Sequence, residues 1–144
     1  MDLPHSRRWC VALLLALAVN ASGAAELVVI VAARSPVGAL RIDQVADIFL
    51  GQAGRFPDGG EATAIDLALG AALRDEFYLK VAAKKPALMK AHWTKMIFTG
   101  RGHPPKEAPT SAAVRKLVAD NPALIGYIDR SALDPSVKPI LLLP

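Results

Sequence analysis

Leu27-Val28-Val29-Ile30-Val31 is the stretch from which the fold is read. Five apolar residues in a row, four of them β-branched, favour extended backbone and read as a buried strand. Ser35-Pro36-Val37-Gly38 breaks that strand. The next segment, Ile42 to Leu50, puts Val45, Ile48 and Phe49 on one helical face, and Gly51 is placed to end it. Residues 54–60 form a Gly-rich loop, and Ala62 to Leu67 reads as a second short strand.

From Ala71 to Ala83 the period changes: Leu73, Phe77 and Val81 recur at four-residue intervals, as on a helix. Pro86 opens another helix at the position where a missing N–H costs least. Its expected apolar face is Leu88, Met89, Trp93, Met96 and Ile97. Residues 99–105 form a loop, Thr110 or Ser111 caps a helix carrying Val114, Leu117 and Val118, and Asn121-Pro122 ends it. Leu124 to Ile128 and Val137 to Leu143 are the last strands. Strands separated by helices predict an α/β fold, a central mixed sheet flanked by helices.

The chain has 144 residues, enough for one domain. Its first 25 residues have the order of a secretory signal: Arg7 and Arg8, an apolar run from Cys10 to Val19, then small residues from Asn20 to Ala25. Cleavage is expected after Ala24 or Ala25, which leaves 26–144 as the working domain, exported to the periplasm with no stable membrane span. The apolar run is short of the ~20 residues a span needs. Of 17 basic and 13 acidic side chains, Arg7, Arg8 and Asp2 fall in this leader; the 15 and 12 that remain give a mildly basic domain. The only cysteine is Cys10, so residues 26–144 have neither a disulfide nor a thiol nucleophile.

Several stretches taken in order carry a family likeness: Asp43-Gln44-Val45-Ala46-Asp47-Ile48-Phe49-Leu50-Gly51, Leu73-Arg74-Asp75-Glu76-Phe77-Tyr78, Ile97-Phe98-Thr99-Gly100-Arg101-Gly102 behind Trp93, and Asn121-Pro122-Ala123-Leu124-Ile125-Gly126-Tyr127. Together they resemble the substrate-binding proteins of phosphate ABC transporters, in particular short single-lobe relatives. The resemblance implies one lobe of the type II periplasmic binding-protein fold. It also implies a seat for phosphate or another small oxyanion, and a transporter or an envelope sensor as protein partner. In this family a Ser-Gly-Thr turn and a preceding arginine hold the phosphate. The positions that match are Ala71, Ala72 and Leu73, with Leu67 in place of the arginine, so two hydroxyls and a guanidinium are missing. What remains as candidate ligand contacts is Gly70 with the backbone of Ala71 and Ala72, Arg74 beyond them, and Ser35 after the first strand. Arg74 reads rather as a surface ion-pairing residue, and Ser35 equally as turn chemistry before Pro36.

Nothing in the pattern points to catalysis. There is no Gly-x-Ser-x-Gly elbow, and Asp66, Asp75 and Glu76 form no acid–base pair that spacing alone defines. His92 and His103 are eleven residues apart without a cysteine near them, so no metal or other cofactor is expected. Trp93, among Met89 and Ile97, reads as core, and His92 as a packed boundary residue. Lys84, Lys85, Lys90 and Lys95 read as a solvated helix face, not as a nucleic-acid surface. The expectation is therefore a non-catalytic periplasmic solute-binding protein; the other reading is an accessory protein of the envelope whose pocket has degenerated.

Overall fold

The computed structural model describes residues 26–144; the expected leader, 1–25, lies outside the described residues. Five strands and four helices follow one another: β1 (Leu27–Ala32), α1 (Ile42–Phe49), β2 (Thr63–Leu67), α2 (Ala72–Ala82), α3 (Pro86–Phe98), β3 (Lys106–Ala108), α4 (Ser111–Asp120), β4 (Leu124–Asp129) and β5 (Val137–Leu143). The sheet order is β3-β2-β4-β1-β5. β1 runs antiparallel to both its neighbours, and β2 runs parallel to both of its own. All six residues of β1 are buried, as a strand covered on both faces requires.

Gly126 of β4 explains how closely one layer sits. A Cβ there would lie 2.5 Å from the Val114 side chain and 3.2 Å from that of Val118. The missing side chain lets α4 rest directly on this face of the sheet. Tyr127, the next residue, points the other way, into α1 and α2. Its ring stacks on Phe77 at 3.8 Å between centroids, and Phe49 closes edge-on against Phe77. Three aromatic rings thus fill the space between β4 and the two helices.

Most helix ends follow their sequence signals. The Thr110 hydroxyl accepts from the Ala113 N–H, and Pro86 opens α3. Two expectations are corrected. The segment 106–108, carrying Lys106 and Glu107, is an edge strand paired parallel to β2, where no strand was expected. On α3, Met89 and Trp93 are buried and Met96 is half-buried, but Leu88 and Ile97 are more than half exposed. Leu117 on α4 is also exposed. The helix is rotated so that a narrower stripe than its apolar pattern offers meets the core.

Candidate functional site

The carboxyl end of β2 delivers the chain into α2 through Ala68-Leu69-Gly70-Ala71. Gly70 takes φ +89°, and nothing lies within 4 Å of the place a Cβ would occupy. Ala71 is the N-cap and has no side-chain oxygen to offer. The N–H groups of Ala72, Leu73 and Arg74 find no acceptor among the described residues. At α1 Gln44 accepts from the Arg41 N–H and α4 has its threonine, whereas α3, behind Lys85, also has no side-chain cap but begins with Pro86, which has no N–H to satisfy. An eleven-residue helix therefore opens to solvent with its first turn uncapped and its positive dipole end bare.

Arg74, one residue inside that turn, does not face the opening. It is buried, and its guanidinium is turned back under the helix. Nη1 donates to Glu107 at 2.7 Å and to the Leu67 carbonyl at 3.0 Å, while Nη2 stands 3.7 Å from Asp66. The expected surface position for Arg74 is thus corrected to an interior one. Asp66 lies on the face of β2 that α2 covers and is fully buried. Its carboxylate accepts from the Tyr78 hydroxyl at 2.6 Å, from the Tyr127 hydroxyl, and from the Leu67 N–H at 2.9 Å. Burial pushes the Asp66 carboxyl above its usual range, although the two hydroxyls and Arg74 pull the other way. Burial, reinforced by Asp66, also raises both tyrosines, so they remain neutral donors. Burial works against the charged Arg74, but Asp66 and Glu107 outweigh it and hold the guanidinium protonated.

Ser35 is not part of this arrangement. The pairing of Leu27 with Asp129 and of Val31 with Ile125 sets the end of β1 beside the start of β4, and Thr63 at the start of β2 pairs with Leu124. Ser35 follows the end of β1, so it sits at the opposite end of the sheet from Gly70. Its hydroxyl accepts from the Val37 N–H at 3.2 Å, and the residue is buried. Of the residues singled out by sequence, the structure brings together Gly70, Ala71, Ala72 and the backbone of Arg74. Leu67, at the position matched to the family arginine, is buried, as an alternating strand residue opposite Asp66 should be. His92 is half-buried with Nε2 at 2.9 Å from the Leu50 carbonyl, as a packed boundary residue. Among the described residues no cluster of metal-ligating side chains is present.

Sequence reasoning missed a second concavity. A cleft of about 510 Å³ lies along the flank of α2, between it and α3, lined among others by Leu69, Arg74, Tyr78, Met89, Trp93 and Ile97. Gly70, Ala71 and Ala72 do not line it. Because Leu69 reads as a loop residue and Ile97 as a helix-face residue in sequence, no local signal marked the cleft.

An open helix N-terminus at the carboxyl end of a parallel strand pair is a position at which α/β folds commonly hold ligands. Solved structures that share this fold include proteins of phosphate transport. One is described as a phosphate ABC transporter substrate-binding protein with bound phosphate from Clostridium perfringens, with a TM-score of 0.62 and 22% identity. The match covers 81% of this chain and 45% of that one. An ABC-type phosphate transport receptor from Vibrio cholerae matches at TM-score 0.62 and 19% identity, over 81% of this chain and 46% of its own. PstS from Borrelia burgdorferi matches at 0.56 and 12%, over 81% and 47%. The fold expected from sequence is thus found, and the chain spans less than half the length of these structures. No family model and no curated protein matches the sequence. No described helix is long and apolar enough to cross a membrane.

Proposed function

We propose that this chain is a non-catalytic solute-binding lobe that seats a small oxyanion, such as phosphate, on the first turn of α2. The observation that carries the reading is the uncapped start of α2: three free N–H groups, a glycine at φ +89° before them, and alanines that leave the approach open. Backbone N–H groups and the helix dipole replace the family's hydroxyls. The dipole contributes on the order of 0.3–1 kcal/mol toward an exposed anion. Arg74 contributes its N–H, since its guanidinium is held by Asp66 and Glu107. Ser35 lies outside the seat. The protein works in the periplasm after loss of residues 1–25, beside a transporter or an envelope sensor, and needs neither cofactor nor nucleic acid. The resemblance in sequence and the shared fold support this reading.

The reading of an accessory protein with a degenerate pocket has its own support. Leu69 is 79% exposed and Phe98 90% exposed, as residues of a contact surface would be. Calorimetric titration with phosphate at low and moderate salt separates the two. One saturable site that persists at moderate salt supports the solute-binding lobe. Absence of heat, or weak binding lost with salt, moves the function to the protein surface.

A further inference from the structure

The α2–α3 cleft, distinct from the α2 N-terminus, has the dimensions and chemistry of a small-molecule site. Its volume of about 510 Å³ falls within the range of ligand pockets, roughly 300–1,000 Å³. Its lining is mainly apolar. Leu69, just before α2, and Ile97, in the last turn of α3, are 79% and 57% exposed. Two large aliphatic side chains that burial left in water flank the same concavity, with Met89 and Trp93 buried behind them.

The charges are placed at one end. Lys84 lies in the turn between the helices and Lys90 one turn into α3, and both line the cleft. Neither has a carboxylate partner among the described residues. Glu107, also in the lining, is taken by Arg74. Asp75, the remaining lining carboxylate, belongs to the first turn of α2, whereas Lys84 follows its last turn. An acidic group is therefore favoured at the lysine end and disfavoured at the other. The Trp93 indole forms part of the buried apolar wall of the cleft.

We propose that this cleft binds a small amphipathic anion, an organic acid whose alkyl or aryl body lies over Leu69, Met89 and Ile97 and whose carboxylate meets Lys84 and Lys90. Its recognition rests on apolar contact plus one charge and so differs from that of a bare oxyanion on α2. The proposal stands whether or not phosphate binds.

Titration of the full chain with sodium octanoate tests it, with 1-octanol and inorganic phosphate as the other probes. Octanoate is expected to bind one saturable site and to shift the Trp93 indole N–H signal in the NMR spectrum, assigned with Trp93→Phe. Phosphate is expected not to displace it. Ile97→Asp, at an exposed position that leaves the fold intact by circular dichroism, is expected to weaken binding tenfold or more. Lys84→Gln with Lys90→Gln is expected to weaken octanoate about fivefold and leave octanol unchanged. Equal affinity for octanol and octanoate overturns the proposal. So does displacement by phosphate, binding indifferent to Ile97→Asp, or no saturable binding.

Discussion

Within eight residues of chain, the β2–α2 junction holds two opposite solutions to the same electrostatic problem. Beneath α2, Asp66 is fully buried and every strong interaction it needs is supplied by the protein: two tyrosine hydroxyls, a backbone N–H and the Arg74 guanidinium. Above it, the N–H groups of Ala72, Leu73 and Arg74 are donors without an acceptor among the described residues. The family's phosphate seat, as the resemblance presents it, concentrates side chains on the open side. In this chain the polar side chains have gone inside and the outside is backbone alone. Internal satisfaction fixes the angle at which α2 leaves the sheet, and the open turn is what that angle presents to solvent.

Arg74 is the residue on which the two sides depend, and replacing it has the largest expected effect. Arg74→Met keeps the length of the side chain but leaves Asp66 buried without a counter-charge and frees Glu107. Removal of one partner from a buried pair costs about 3–5 kcal/mol. Glu107 is partly exposed, so the lower end is expected in urea denaturation. Anion binding to the surviving fold should change little. The reverse result, unaltered stability with lost anion binding, would place Arg74 in the seat and break the comparison.

The sequence showed one side of this junction and hid the other. Gly70-Ala71-Ala72 was recognisable because a glycine before a helical period, and the loss of hydroxyls against a resembled family, are both local facts. Asp66 was legible only as an acid with no partner that spacing defines. Its partners Tyr78 and Tyr127 lie 12 and 61 residues away, and only the parallel register of β2 with β4 brings them to one point. The same non-locality hid β3, whose Lys106 and Glu107 look like a loop until Ile65 and Asp66 are set beside them. The strands and helices themselves were readable, because β-branched runs and four-residue apolar spacing are local. The rotation of α3 was not: Leu88-Met89 and Met96-Ile97 give two adjacent stripes, and packing of Trp93 near Gly51 selects between them.

The buried side makes a second, smaller prediction with a definite sign. Burial raises the Asp66 carboxyl, so the folded chain keeps that proton to a higher pH than the unfolded chain does. A group of this kind favours the fold most below its unfolded value, about 3.9 for an aspartate, and the advantage is lost as pH rises through the folded value. The stability of the protein minus that of Asp66→Asn should therefore fall as pH is raised from about 4, by at most about 1.4 kcal/mol per unit. Asp43 is held low by its hydrogen bond from Arg41, and Asp134 by that from Ser136. Both give the opposite slope below pH 4, but in both proteins alike, so they cancel from the difference. A difference that grows with pH would mean that Arg74 and the tyrosines outweigh burial.

The open side yields the smallest effect and the sharpest test of what it is for. Ala71 already has N-cap backbone angles, φ −66° and ψ 129°, and lacks only the side-chain oxygen. Ala71→Asp supplies one: its carboxylate accepts from the free N–H groups of the first turn and sits at the positive end of the dipole. Capping substitutions of this type contribute about 0.5–2 kcal/mol, so the variant should unfold at higher urea than the parent. The carboxylate also occupies the N–H groups assigned to the oxyanion and repels any anion that approaches. Phosphate binding should disappear in calorimetry while the fold becomes more stable. Gain of stability and loss of binding together would show that the missing cap is a vacancy kept for a ligand. Gain of stability with no change in anion binding would move the seat away from α2.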